Sequence, residues 1–145
     1  MNSYILNPKK HFALLSLPIL LLFLNACSPK LRFMQSHVVP AAEGSIKIKK
    51  DNNENYSIDI DVRYLAEPRN LQPPGDTYVV WMETATSGTK NLGQLQISSS
   101  LMSSALKASL NAVTPFKPTR IFITAEKEAA VIYPNGQSVL TTKQL

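Results

Sequence analysis

The sequence predicts an all-β chain: one small antiparallel β-sandwich of immunoglobulin-like type behind a flexible tether. Residues 45–50 and 56–64 alternate apolar with charged or polar side chains, the period of a strand with one buried face. Residues 77–83, Thr77-Tyr78-Val79-Val80-Trp81-Met82-Glu83, are β-rich and apolar on both sides, as a central strand requires. Turn-forming clusters recur between such runs at the spacing of a sandwich rather than of helices.

Each element follows from its residues. Asp51-Asn52-Asn53-Glu54-Asn55 is a polar turn, so the two alternating runs form a hairpin. A five-residue loop sets Lys50 opposite Tyr56, Ile48 opposite Ile58 and Lys47 opposite Asp59. That register pairs apolar with apolar and cation with anion, and a slip of one residue would break both. Pro68, Pro73, Pro74 and Gly75 make residues 65–76 a loop. A turn over 85–91, a short strand over 92–97 and a serine-rich loop over 98–104 are expected next. Residues 105–113 carry two patterns. Met102, Leu106 and Leu110 share a helical face, whereas Leu106, Ala108, Leu110 and Ala112 alternate as a strand, the reading adopted. Residues 120–126 are the clearest strand, beyond a loop framed by Pro115 and Pro118. Residues 129–133, the turn Pro134-Asn135-Gly136 and residues 137–141 are expected to close the domain as a hairpin.

The start of the chain has a different character. Lys9 and Lys10 precede thirteen uncharged residues, 12–24, interrupted by Pro18; Leu24-Asn25-Ala26-Cys27 follows. As a helix at about 1.5 Å per residue this run reaches roughly 20 Å, short of the roughly 30 Å hydrocarbon core, which fits a secretory leader rather than a span. The order of basic start, apolar middle, small residue and lone cysteine resembles the bacterial lipoprotein signal peptide. The resemblance implies cleavage before Cys27 and diacylglycerol on its thiol, with fatty acyl chains of the palmitate class. Residues 1–26 are then the signal peptide, 27–44 the lipidated N-terminus and tether, with a short strand at 33–39, and 45–145 the sandwich. A secreted or otherwise tethered chain with an incidental Cys27 is the competing reading. Acyl chains contribute about 0.8 kcal/mol per buried CH₂, so two or three suffice as an anchor. Cys27 is also the only cysteine, which excludes a disulfide within the chain.

Ser28 and the basic Pro29-Lys30-Leu31-Arg32 that follow the cysteine favour, by the same resemblance, the periplasmic face of the outer membrane; the outer surface stays open as an alternative. Loss of the leader lowers the formal charge from +5 to +3. The remaining cations are scattered outside Lys47-Ile48-Lys49-Lys50, so no basic stripe suited to nucleic acid is present.

Tyr78-Val79-Val80-Trp81-Met82, Asn91-Leu92-Gly93-Gln94-Leu95, Thr114-Pro115-Phe116, Ile121-Phe122-Ile123-Thr124-Ala125-Glu126 and Tyr133-Pro134-Asn135-Gly136 follow one another in the last 68 residues. Their order resembles the extracytoplasmic C-terminal domain of anti-sigma-K-type factors, and the resemblance implies a β-sandwich with a sensing or partner-binding role. Those factors also carry a zinc-associated cytoplasmic domain and a membrane span, neither of which is matched here.

Catalytic groupings are not evident. There is no Gly-x-Ser-x-Gly, and His37 is the only histidine after the leader. One histidine without a free thiol makes a poor zinc site, and isolated glycines cradle no phosphate. Asp59 and Asp61 form a carboxylate pair that the hairpin turns toward solvent. Trp81 is read as core in preference to a binding aromatic, and Glu126 as a buried or edge carboxylate without a catalytic role. The expected function is therefore a membrane-anchored, non-catalytic interaction module of the bacterial envelope. It has no cofactor, no metal and no nucleic-acid ligand, and an unidentified envelope protein is its partner. The alternative is a sensor or accessory component of a sigma/anti-sigma system. A third reading, glycan or lipid chemistry through Asp59, Asp61 or Glu126, is the least favoured.

Overall fold

The hairpin forms in the expected register. In the computed structural model, which describes residues 30–100 and 103–145, strands β2 (Glu43–Lys50) and β3 (Tyr56–Leu65) pair Lys50 with Tyr56, Ile48 with Ile58 and Lys47 with Asp59. Asp51 ties the turn, its Oδ1 accepting from the backbone N–H of Asn53 at 2.8 Å and of Asn55 at 2.9 Å. Ile46, Ile58, Ile60 and Val62 are buried, while Asp61 and Arg63 are exposed on the opposite face. Residues 1–26, expected as a signal peptide, and Cys27 lie outside the described residues.

Among the described residues, nine strands build two antiparallel sheets. The others are β1 (Leu31–Arg32), β4 (Thr77–Thr84), β5 (Gly88–Gln94), β6 (Gln96–Ser100), β7 (Ser103–Thr114), β8 (Pro118–Glu126) and β9 (Gln137–Thr141). One sheet runs β1-β2-β3-β7-β6 and the other β5-β4-β8-β9. Setting β1 aside, the two orders match the ABED and C′CFG sheets of an immunoglobulin-type sandwich. The core fills the space between them: Ile46, Ile58, Ile60, Val62, Leu106 and Ala108 face Tyr78, Val80, Met82, Ile121, Ile123 and Leu140. β4 is central, flanked by β5 and β8, as its two apolar faces predict. β7 is a strand, with Leu106 and Ala108 buried and Lys107 exposed in alternation, so the helical reading of this segment is excluded.

Four expectations are corrected. The folded body begins well before residue 45: β1 pairs with β2 through Leu31–Ile46 and Arg32–Ser45, and Val39 and Ala42 are buried. Ser36 Oγ donates to Val139 O of β9 and accepts from the N–H groups of Val38 and Val39. The segment expected as tether thus joins the edges of both sheets, and its strand is 31–32 rather than 33–39. Second, β5 and β6 are nearly continuous. The chain leaves one sheet at Gln94 and enters the other at Gln96, with buried Leu95 donating its N–H to Tyr78 O at the crossing. Third, the serine-rich stretch is a strand pair, β6 with β7, because ladder hydrogen bonds outweigh the weak β-propensity of serine. Fourth, residues 129–133 form no strand; β8 pairs directly with β9, and residues 127–136 are a long connection.

Candidate functional site

That connection crosses the outer face of the β5-β4-β8-β9 sheet, and the sheet explains why. Alternation along β4 sends Tyr78, Val80 and Met82 inward, which leaves Val79 and Trp81 on the outer side. Yet Val79 and Trp81 are both fully buried. Phe122, opposite Trp81 on β8, stacks with it at 6.4 Å between ring centroids. Arg120 lies 5.9 Å from the Phe122 ring centroid and pairs with Glu83, screening the patch on one side. A second, small apolar layer therefore sits outside the main core. An uncovered Trp81 would forfeit on the order of 3 kcal/mol of burial.

Residues 127–136 form a strap over this layer, fixed at both sides. On β5, Asn91 Nδ2 donates to Ala129 O at 3.0 Å and Val131 O at 2.9 Å. Asn91 Oδ1 accepts from Gly93 N at 2.8 Å, which fixes the amide orientation. On β8, the Glu126 carboxylate, 2% exposed, receives the strap's return. Its Oε1 accepts from Asn135 N at 3.1 Å and its Oε2 from Gly136 N at 2.9 Å. The same Oε1 accepts the Thr124 hydroxyl at 2.6 Å, and Thr124 Oγ1 accepts the Trp81 indole N–H at 2.8 Å. A chain of hydrogen bonds thus links the buried indole to the strap. Donors directed at Glu126 compensate the burial of its carboxylate. Gly136 must be glycine, because a Cβ there would stand 1.7 Å from Ala125 O.

The strap presents its middle to solvent: Ile132 is 77% exposed and Tyr133 70%. Concave surfaces flank it. One, of about 470 Å³, lies between the strap base and the Pro73-Pro74 corner, lined also by Glu126, Lys127, Val131 and Asn135. The other, of about 500 Å³, lies between Val131, Ile132 and Tyr133 and the β5 residues Thr89, Lys90 and Asn91. Beside the first, Thr77 Oγ1 is buried without a hydrogen-bond partner among the described residues, on the same sheet face as Glu126. A protruding apolar pair between two concavities can insert into or receive another surface.

The residues singled out in sequence are scattered by the fold. Asp59 and Asp61 lie on the outer face of the other sheet, so Glu126 does not converge with them. His37 is exposed in the segment between β1 and β2. Trp81 is buried, but under the strap rather than between the sheets. Glu126 is buried as an anchor for the connection. Sequence reasoning missed Asn91, which looked like any turn asparagine, and the strap itself, whose Val131-Ile132-Tyr133 imitates a strand. Among the described residues no cluster of three or more His, Cys, Asp or Glu could hold a metal ion, and no helix is long and apolar enough to cross a membrane. In comparisons with known proteins, no family model, no curated protein and no solved structure matches the chain.

Proposed function

We propose that the protein is a lipoprotein of the bacterial envelope, anchored through acyl chains on Cys27, whose sandwich works as a non-catalytic interaction module. The observation that supports the anchor is the sequence from Lys9 to Cys27, with its short apolar run and lone thiol. The periplasmic face of the outer membrane is the proposed location, following Ser28 and the basic residues after it. The strap supports the interaction role: a buried hydrogen-bond chain holds rigid a segment that exposes Ile132 and Tyr133. Such apolar side chains on a fixed scaffold are characteristic of contact surfaces, since order is already imposed before binding.

The test is chemical. Cells fed an alkyne fatty acid should yield a labelled band that Cys27→Ser abolishes, and intact mass should give a chain beginning at an acylated Cys27. An unmodified, uncut polypeptide rejects the anchor. Crosslinking in living cells, followed by capture, should return an envelope protein whose yield falls with Ile132→Ser/Tyr133→Ser. Unaltered capture by that variant rejects the strap as the contact.

A second reading is a sensor or accessory component of a sigma/anti-sigma system. What favours it is that pattern residues of the resemblance meet in one sheet: Tyr78 and Trp81 on β4, Gly93 on β5, Thr124 and Glu126 on β8, with Gly136 closing the strap. Capture of a sigma or anti-sigma partner supports this reading. An unchanged transcriptome on deletion removes it.

A further inference from the structure

The folded body starts closer to Cys27 than a tether reaching Gly44 would allow. β1 opens at Leu31, with Lys30 immediately before it. From Cys27 to Lys30 the chain advances three residues, about 11 Å when fully extended. A membrane-embedded Cys27 therefore keeps the surroundings of Lys30 within that reach of the lipid headgroups.

Those surroundings form a shallow basin of about 200 Å³ on the outer face of β1, β2 and β3, lined by Lys30, Arg32, Glu43, Ser45, Asp61 and Arg63. Continuing the β1–β2 register by one step from Leu31–Ile46 brings Lys30 beside Lys47. Among the described residues the ion pairs are Lys50–Glu54, Arg69–Asp76, Arg120–Glu83 and Lys127–Asp76, so Lys30, Arg32 and Arg63 enter none. Guanidinium groups match phosphate oxygens in geometry and charge. Glu43 and Asp61 beside them suit an ammonium. Both charges of an ethanolamine phospholipid headgroup thus find counterparts in one basin.

We propose that this basin docks phospholipid headgroups of the membrane that holds the anchor, laying the β1-β2-β3 face against the bilayer and turning the strap away from it. The strap belongs to the other sheet and crosses its outer side, so this orientation leaves Ile132 and Tyr133 pointing to the compartment. The inference rests on the lipoprotein reading of Cys27.

The test is amine footprinting of the processed full-length protein, reconstituted in phosphatidylethanolamine/phosphatidylglycerol vesicles and compared with detergent micelles. In vesicles, acetylation of Lys30 and Lys47 should fall at least threefold, while Lys90 on β5 and Lys127 at the strap base react equally in both. Charge reversal at two exposed positions, Arg32→Glu with Arg63→Glu, should restore Lys30 and Lys47 reactivity while leaving the protein in the membrane fraction. Equal reactivity in vesicles and micelles, with acylation shown by intact mass, overturns the docking alone. Protection that survives the double reversal also overturns it, since proximity to the anchor then suffices. An intact mass without acyl chains removes the reading beneath it, and the docking with it.

Discussion

Thr124 Oγ1 stands between two buried groups, accepting from Trp81 Nε1 at 2.8 Å and donating to Glu126 Oε1 at 2.6 Å. One hydroxyl uses both of its capacities in this position. Thr124→Val keeps the shape and leaves an indole N–H without an acceptor and a carboxylate short of a donor. Each orphaned group costs about 1–3 kcal/mol, so the variant should lose about 2–4 kcal/mol in urea unfolding. Thr124→Ser keeps the hydroxyl and should lose only about 1 kcal/mol. Trp81 is the single tryptophan, so its emission reports the same site: a red shift is expected for Thr124→Val and not for Thr124→Ser.

Two glycines separate steric from conformational need. An alanine methyl at Gly136 would meet Ala125 O at 1.7 Å, and the carbonyl belongs to the backbone of β8 and cannot yield. Gly136→Ala should displace the strap's return, break the Gly136–Glu126 hydrogen bond and cost more than about 3 kcal/mol. Gly88 has a φ of +69° but no atom within 4 Å of the place a methyl would take, so Gly88→Ala should cost only about 1–2 kcal/mol. Similar losses for the two would contradict this assignment. Hydrogen exchange at Asn135 should rise sharply in Gly136→Ala alone.

Burial pushes the Tyr78 phenol up to about 12, helped by the charge of Glu67, and its hydroxyl donates to Ala66 O at 2.9 Å. A folded-state value above the unfolded one means that the native state holds the proton longer. This contribution is complete below pH 10, where both states are neutral, and is lost as pH rises toward 12. The decline should amount to about 2 kcal/mol. Tyr78→Phe should flatten that part of the stability profile between pH 9.5 and 11.5, at a cost of about 1 kcal/mol at neutral pH for the missing hydrogen bond. A parent and variant that fall in parallel would assign the decline to other tyrosines.

Tyr64 occupies the left-handed region at φ 58°, at the irregularity where the β3–β7 register shifts between Arg63 and Leu65. The extra residue returns Leu65 to the core opposite Leu106. Left-handed backbone costs an L-residue roughly 1–2 kcal/mol, less for asparagine. Tyr64→Asn should therefore keep stability within about 0.5 kcal/mol of the parent or raise it, whereas the β-branched Tyr64→Val should lower it by about 1 kcal/mol or more. Thermal melts of the two variants measure the difference.

The parts legible in the sequence are those governed by period and parity. Ile46, Ile48, Ile58 and Ile60 share a face only in registers of one parity, the five-residue loop selects among these, and the hairpin adopts the register so chosen. The uninterrupted apolar run of β4 could belong only between other strands. Elements that depend on a distant partner were not legible. Ser98 and Ser100 look like loop residues until β7 supplies a ladder, and Leu95 looks like mid-strand until the two sheets draw the chain across. Val131, Ile132 and Tyr133 have the composition of a strand, but Asn91 and Glu126 take up the backbone of this segment from either side. The hydrogen-bond chain from Trp81 to Gly136 joins three segments, β4, β8 and the strap, and no local pattern announces it.

The short first strand has a mechanical consequence. Tension applied at the amino end meets the Leu31–Ile46 and Arg32–Ser45 contacts before any other part of the fold. These contacts, the Phe33 N–H to Gly44 O and Met34 N–H to Thr141 O bonds, the Ser36 bridge to Val139 and the burial of Val39 and Ala42 must yield in turn before residues 31–42, roughly 40 Å of extended chain, come free. A domain held this way could absorb a transient pull by lengthening its leash instead of unravelling.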